Sequence, residues 1–346
     1  DHDQKTEGGV MTEPRTLELH TSPHIASGAS VDVIMRNVVW ALLPVAAFSV
    51  YSFGLAALLT LVVATLSCVL TEHAMCRFAA RPTTVRDWSV TITGLLYGLT
   101  LPPALPLWMV ACGGIIGVAM AKSMFGGLGY NAFNPALVGR AFLQAAFPAA
   151  MTSWTPAMAP DRFVSIPGST FTFPFAAPVY DSATGATPLS LMKFDQQITA
   201  TGDLLLGLTS GSTGETCALL ILAGGAYLAA RKMMNWRIPA AIFATVAVFS
   251  WIFHAIDPGV YPPPGFMLFS GGLMLGAVFM ATDMVASPIT AIGSILYGIL
   301  IGVLITVIRL WGGMPEGVMY AILLANAVSP HIDHLVKPRV YGTGSA

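Results

Sequence analysis

Long, nearly uncharged apolar runs limit this chain more than any other feature. Residues 37–53, 55–77, 105–123, 216–230, 238–256, 266–281 and 288–308 each read as one such run. Three further segments, 89–101, 135–147 and 316–328, are shorter or more polar, and 135–147 includes Arg140. A helix of about 20 apolar residues crosses a bilayer, since each residue adds about 1.5 Å. Lipid offers the backbone no hydrogen bonds, so such runs must satisfy their own N–H and C=O groups as helices. Charged residues make up only 10% of the 346 residues, against about 25% in soluble domains. The expected fold is an all-α polytopic membrane protein with about ten transmembrane segments. The 34 Gly and 24 Pro suit close helix packing and broken helices.

The ten segments divide into five and five around one long loop. The expected organisation is an N-terminal arm at 1–36, a first five-helix repeat at 37–147 and a loop at 148–215. A second five-helix repeat at 216–330 and a tail at 331–346 complete it. Ile116-Gly117-Val118 followed by Gly126-Gly127 matches Ile301-Gly302-Val303 followed by Gly312-Gly313. Asn134-Pro135 after Tyr130 matches Asn326 and Ser329-Pro330 after Tyr320. An odd number of helices per repeat makes the two halves inverted in the membrane.

Basic residues orient the chain. With a cytoplasmic N-terminus, the inner side receives Lys5, Arg15, Arg36, Arg77, Arg81, Arg86, Lys122, Arg231, Lys232, Arg237, Lys337 and Arg339. The outer side receives Arg162, Lys193 and Arg309. This bias places the 148–215 loop outside the cytoplasm. Residues 1–10, ahead of Met11, are expected to be extra sequence. The first 30 residues lack the apolar core of a signal peptide. A net charge of −1 gives no basis for nucleic-acid binding. Cys68, Cys76, Cys112 and Cys217 make no metal-binding spacing and are expected as small packing residues.

The long loop holds the run Asp181-Ser182-Ala183-Thr184-Gly185-Ala186-Thr187. A solvent-exposed threonine hydroxyl among small residues can accept a phosphoester. The plain alternative is a turn, where Gly and Thr are common. Nucleophilic triads and paired catalytic carboxylates are not apparent. Gly126-Gly127-Leu128-Gly129 lacks the Lys-Ser/Thr ending of a P-loop.

The chain resembles the family of the Rnf-complex D subunit and the B subunit of the sodium-pumping NADH:quinone reductase. The resemblance runs from about Leu17 to Arg339. It rests on Gly126-Gly127-Leu128-Gly129-Tyr130-Asn131-Ala132-Phe133-Asn134-Pro135-Ala136 and on the Asp181–Thr187 run. Support comes from Ser22-Pro23-His24, Arg81-Pro82, Ser89-Val90-Thr91-Ile92-Thr93-Gly94 and Asp283-Met284-Val285-Ala286-Ser287-Pro288. The short N-terminal arm and early end favour the Rnf branch.

That resemblance implies a subunit of a complex that couples electron flow between ferredoxin and NAD to Na⁺ or H⁺ movement. It implies FMN joined through its phosphate to Thr187 by a flavin transferase, with Asp181 in the recognition motif. Gly185 and Ala186 would leave room for the transferase, and Thr184 is the rival acceptor. A non-covalent riboflavin is implied without a location. Implied partners are the other Rnf subunits, including the flavin-bearing G subunit and the A and E membrane subunits, together with membrane lipid. The implied location is a bacterial inner membrane, with the loop on the periplasmic side.

Other polar residues carry weaker expectations. Asp283, near the end of the eighth segment, is a candidate ion-pathway carboxylate or else a solvated helix end. Glu72 and His73 are expected at the interface. Arg140 is expected to pair with a carboxylate such as Asp87 or Glu72. Lys122 and Asn134 bracket a Gly-rich turn that could line a cofactor or ion cavity. The rival functional readings are a small-solute channel or carrier with a midplane site, and a purely structural anchor subunit.

Overall fold

The computed structural model describes residues 30–174, 176, 186–215 and 217–338, and its secondary structure is helical. Four helices are long and apolar enough to cross a membrane: α1 (Val31–Phe53), α2 (Leu55–Phe78), α10 (Arg237–Ile256) and α13 (Ala291–Trp311). Shorter helices fill the first half: α3 (Ser89–Leu99), α4 (Leu107–Val118) and α5 (Pro135–Ala146). A π-turn, Ala119–Ser123, extends α4. Between the halves lie α6 (Pro148–Met151), α7 (Pro188–Asp195) and α8 (Thr201–Leu206). The second half adds α9 (Ala218–Ala230), α11 (Pro264–Phe269), α12 (Leu273–Leu275) and α14 (Val318–Leu335).

In the first half α2 packs on α4 and α4 on α5; in the second, α10 packs on α13 and α13 on α14. Small residues bring the axes close. A Cβ on Gly117 would lie 2.7 Å from the Pro135 carbonyl oxygen, and one on Gly298 would lie 2.8 Å from the Ile238 carbonyl oxygen. Such contacts are how helices pack where lipid supplies little hydrophobic drive.

The segment expected as one helix at 266–281 is broken. α11 stops at Phe269, Gly271 adopts φ +63°, and α12 then runs into a second π-turn, Gly276–Met280. The break frees backbone groups that buried side chains must satisfy. Arg309, 1% exposed, donates from Nη1 to the Met267 carbonyl (2.6 Å) and from Nη2 to the Ser270 carbonyl (2.9 Å). Glu316 accepts from the Gly272 N–H at 3.0 Å and pairs with Arg309 Nη2 at 3.5 Å. Arg309, expected on the outer side, is therefore an internal clamp.

The end of α3 is closed in a comparable way. Thr213 Oγ1 donates to the Gly98 carbonyl (2.7 Å), and the Gly214 N–H donates to the Leu99 carbonyl (2.6 Å). Residues 212 and 213 are thus buried in the helix layer, although the expected loop ran to 215. Other boundaries shift too. α14 continues through Pro330 to Leu335, beyond the expected 328, and Thr290 caps α13 through the Gly293 N–H at 3.0 Å.

Replacing Arg309 with Met leaves Glu316 uncompensated and two carbonyls unpaired. The expected destabilisation is about 3 kcal/mol or more, read as a clear drop in Tm of the detergent-solubilised protein. An unchanged Tm would remove the clamp from the account of this fold.

Candidate functional site

Thr187 ends the motif and begins α7. Its extended backbone (φ −72°, ψ 152°) makes it the N-cap, with Pro188 preset for the first helical position. Thr187 Oγ1 accepts from the Ser190 N–H at 3.2 Å and lies 2.9 Å from Ser190 Oγ. The residue is 7% exposed, where an exposed hydroxyl was expected. The helix packs Leu189 and Met192 inward, and this draws its N-terminus into the protein. Of the remaining motif residues, Ala186 is exposed beside Thr187, whereas Asp181, Thr184 and Gly185 lie outside the described residues.

Thr187 lines a cavity of about 490 Å³. Small-molecule sites span about 300–1,000 Å³. Ala186, Thr187, Ser190 and Phe194 form one wall, Arg140 and Gln144 of α5 another, and Trp154, Met319 and Tyr320 contribute further surface. Glu215 and Glu316 also line it. Arg140 is 7% exposed, and its Nε has no hydrogen-bond partner among the described residues. The expected pairing of Arg140 with Asp87 or Glu72 does not form. Asp87 accepts from Ser89, and Glu72 takes a different cation. A guanidinium with a free Nε, a helix N-terminus and aromatic walls together suit an anionic, planar group.

Glu215 was not singled out in the sequence. Its Oε1 accepts from Ser212 Oγ at 2.9 Å, and it lines the cavity together with Glu316. Burial and the neighbouring Glu316 push the Glu215 carboxyl up to about 8, against the pull of Arg140. The missed signal was Arg309 seven residues before Glu316: two opposite charges bounding an apolar stretch.

Asp283 borders a different, smaller cavity of about 110 Å³ with Ser89, Lys122, Asn131 and Asn134. Its Oδ1 accepts from the Val285 N–H (3.1 Å) and its Oδ2 from Asn131 Nδ2 (3.4 Å). Burial pushes this carboxyl upward. Asp283 is half-buried and folded back against the first half of the chain, so it is not simply a solvated helix end. Lys122 and Asn134, which bracket the Gly-rich turn, do come together here. Lys122 Nζ donates to Glu72 Oε2 (2.6 Å) and Ser89 Oγ (2.7 Å). Glu72, expected at the interface, is buried by this pair, whereas His73 is exposed. Asn134 caps α5 and donates from Nδ2 to the Met280 carbonyl at 3.3 Å. The Asn326 side-chain oxygen accepts from the Asn134 N–H at 3.2 Å. The two asparagines matched in the sequence therefore touch where α5 meets α14.

The four cysteines are free, and no cluster able to hold a metal ion occurs among the described residues. His254 meets the Tyr261 carbonyl at 2.7 Å, as a helix-end histidine should.

The chain is similar to the D subunits of several ion-translocating complexes. It is 41% identical over 330 residues to that of the Na(+)-translocating ferredoxin:NAD(+) oxidoreductase complex of Acetobacterium woodii, covering 94% of this chain and 95% of the relative. It is 39% identical over 335 residues to that of the proton-translocating ferredoxin:NAD(+) oxidoreductase complex of Clostridium ljungdahlii, covering 94% and 96%. The counterpart from the ion-translocating oxidoreductase complex of Halorhodospira halophila is 38% identical over 344 residues, with 94% and 95% covered. The profile of the NQR2, RnfD, RnfE family matches residues 18–342. With nearly its whole length matched, the chain belongs to the NQR2, RnfD, RnfE family.

Proposed function

We propose that this chain is a membrane subunit of a redox-driven Na⁺- or H⁺-translocating complex working with the ferredoxin/NAD couple, and that it carries FMN as a phosphoester on Thr187. The observation that carries the reading is Thr187 in the wall of a cavity of about 490 Å³ that Arg140 also lines, with its Nε unpartnered among the described residues. The relatives' names supply the class of complex. FMN when bound supplies one- and two-electron chemistry.

The chain's own residues supply the rest. Thr187 Oγ1 is the tether. The N-terminus of α7 and the Arg140 guanidinium offset phosphate charge. Trp154, Phe194 and Tyr320 present aromatic surface that excludes water. Thr184 and Asp181 belong to the segment that the flavin transferase reads. A non-covalent riboflavin is part of the same reading, without an assigned cavity. Asp283, which lines the smaller cavity with Lys122 and Asn131, is the proposed ion-pathway carboxylate.

The membrane arrangement goes with this function. Ten segments form two inverted five-helix repeats, supported by the parallel pairings α2–α4 with α10–α13 and α4–α5 with α13–α14. The Thr187 cavity faces the periplasm of a bacterial inner membrane, and the Asp283 cavity faces the cytoplasm. Partners are the other subunits of an Rnf complex, among them A, E and the flavin-bearing G.

Three outcomes are expected. Thr187→Ala should remove the fluorescent band of the denatured subunit while complex assembly persists, and Thr184→Ala should keep it. Covalent flavin mapped to another peptide in Thr187→Ala would overturn the site. Wild-type protein without flavin, even when co-produced with a transferase, would instead put the solute-carrier reading first. Asp283→Asn should reduce ion transport in vesicles at least several-fold with flavin content unchanged; full transport would return Asp283 to a structural role. In a Cys-free variant, Val164→Cys should label from outside and Ala79→Cys only from inside, and the reverse pattern would invert the topology.

A further inference from the structure

The burial of Thr187 conflicts with its role as an acceptor. The residue is 7% exposed, and its Oγ1 takes the Ser190 N–H at 3.2 Å and lies 2.9 Å from Ser190 Oγ. α7 holds it there in two ways. Leu189 and Met192 are buried in the core. Lys193 Nζ donates to the carbonyls of Arg309 (3.1 Å), Gly312 and Met314 (3.0 Å), where α13 ends. An ammonium has three donors, and the C-terminal end of a helix offers it free carbonyls and negative potential. Lys193 and the Thr187 cap share one short helix, so this seat fixes the hydroxyl as well.

Phosphoester formation needs an activated donor, because FMN itself carries only a phosphate monoester. In a flavin dinucleotide the pyrophosphate supplies the activation. Its bridging P–O bond breaks, the Thr187 Oγ–P bond forms, and the nucleoside monophosphate leaves with the electron pair. The hydroxyl proton passes to a base on the transferase, and nothing is oxidised or reduced. The attacking and leaving oxygens must lie roughly in line through phosphorus, with the transferase around both. A cavity of about 490 Å³ is the size of a small-molecule site and does not admit an enzyme.

We propose that FMN is placed on Thr187 while α7 is undocked, and that docking of α7 through Lys193 comes second and carries the flavin into the cavity. The order rests on the reading of Thr187 as the tether. The cap is compatible with it. Capping asks Oγ1 only to accept, and an ester oxygen keeps its lone pairs, so the Ser190 N–H bond forms after transfer as before. Oγ1 then has no proton to give, and the Ser190 hydroxyl becomes the donor. The reverse order requires the cap, the Lys193 seat and the Leu189 and Met192 contacts to be broken again before transfer.

Modification after folding tests the order. The full chain is produced without a transferase, purified in lipid nanodiscs, and then given transferase and flavin dinucleotide. Folded wild type should gain covalent flavin several-fold more slowly than Lys193→Met, in which α7 has lost its seat. Lys193→Arg, which keeps donors for the carbonyls, should stay near wild type. A second readout needs no flavin. In a chain that keeps Cys68 and lacks the other three cysteines, the thiol of Thr187→Cys should react with a maleimide several-fold faster once Lys193→Met is added. Cys68, 1% exposed, should stay unreactive in both. If Lys193→Met unfolds the chain and exposes Cys68, Met192→Ala, which loosens the packing of α7, takes its place with the same two results expected. Equal rates of flavin gain in wild type and the loosened variant, or equal thiol reactivity, would overturn the order. Wild type without covalent flavin even when co-produced with the transferase would overturn the tether, and the thiol rates would still report whether Lys193 seats α7.

Discussion

Everything in the second half turns on how a helix is interrupted where water cannot repair it. α11 and α12 leave carbonyls and an N–H unsatisfied around Gly271, and each unpaired buried group costs several kcal/mol in hydrocarbon. Arg309 and Glu316 meet those groups from the two ends of the α13–α14 connection. The charge that makes Arg309 expensive to bury also lets one side chain serve two carbonyls and a carboxylate. Residues 212–214 do the same for α3 with hydroxyl and backbone groups. The interruptions are therefore fixed parts of the fold.

Those repairs decide where the site lies. Glu316 is drawn inward to cap Gly272, so it reaches the cavity wall. Residues 212–214 are drawn inward to close α3, and Glu215 comes with them. Arg140, on the neighbouring α5, supplies the balancing charge without a bonded partner at its Nε. A polar chamber beside Thr187 thus follows from closing two broken helices. The second cavity is organised differently. There the buried Lys122–Glu72 pair (2.6 Å) and the asparagines 131 and 134 bring the Gly-rich turn against Asp283.

Much of this was legible in the residues. Apolar run length gave α1, α2, α10 and α13 with small errors at their ends, since hydropathy registers composition but not caps such as Thr290. The small-residue matches at Gly117 and Gly302 lie where helices pack closely, and Asn134 and Asn326 come into contact. The break at Gly271 was hidden because a single glycine inside an apolar run does not lower its hydropathy. The burial of Arg309, Lys122 and Glu72 was hidden for another reason. Charge counts assign such residues to membrane faces, whereas their partners lie 7 residues away for Arg309 and 50 for Lys122, and only the folded chain brings the latter pair together. Thr187 was singled out by its motif, yet its burial came from α7, which the loop reading did not include.

The anchoring of the long connection has a mechanical side. At one end Arg162 lies over the α1–α2 turn: its carbonyl accepts from the Leu55 N–H at 3.0 Å, and its Nε donates to the Tyr51 carbonyl at 2.8 Å. Gly54 is obligatory there, for a Cβ would fall 1.9 Å from that carbonyl oxygen. At the other end Lys193 ties α7 to the carbonyls of Arg309 and Met314. Arg162 is thus anchored to the first half and Lys193 to the second. A rocking motion of one half against the other that kept both anchors would change the separation of Arg162 and Lys193. The distance between these two anchors is therefore a direct gauge of any movement between the halves.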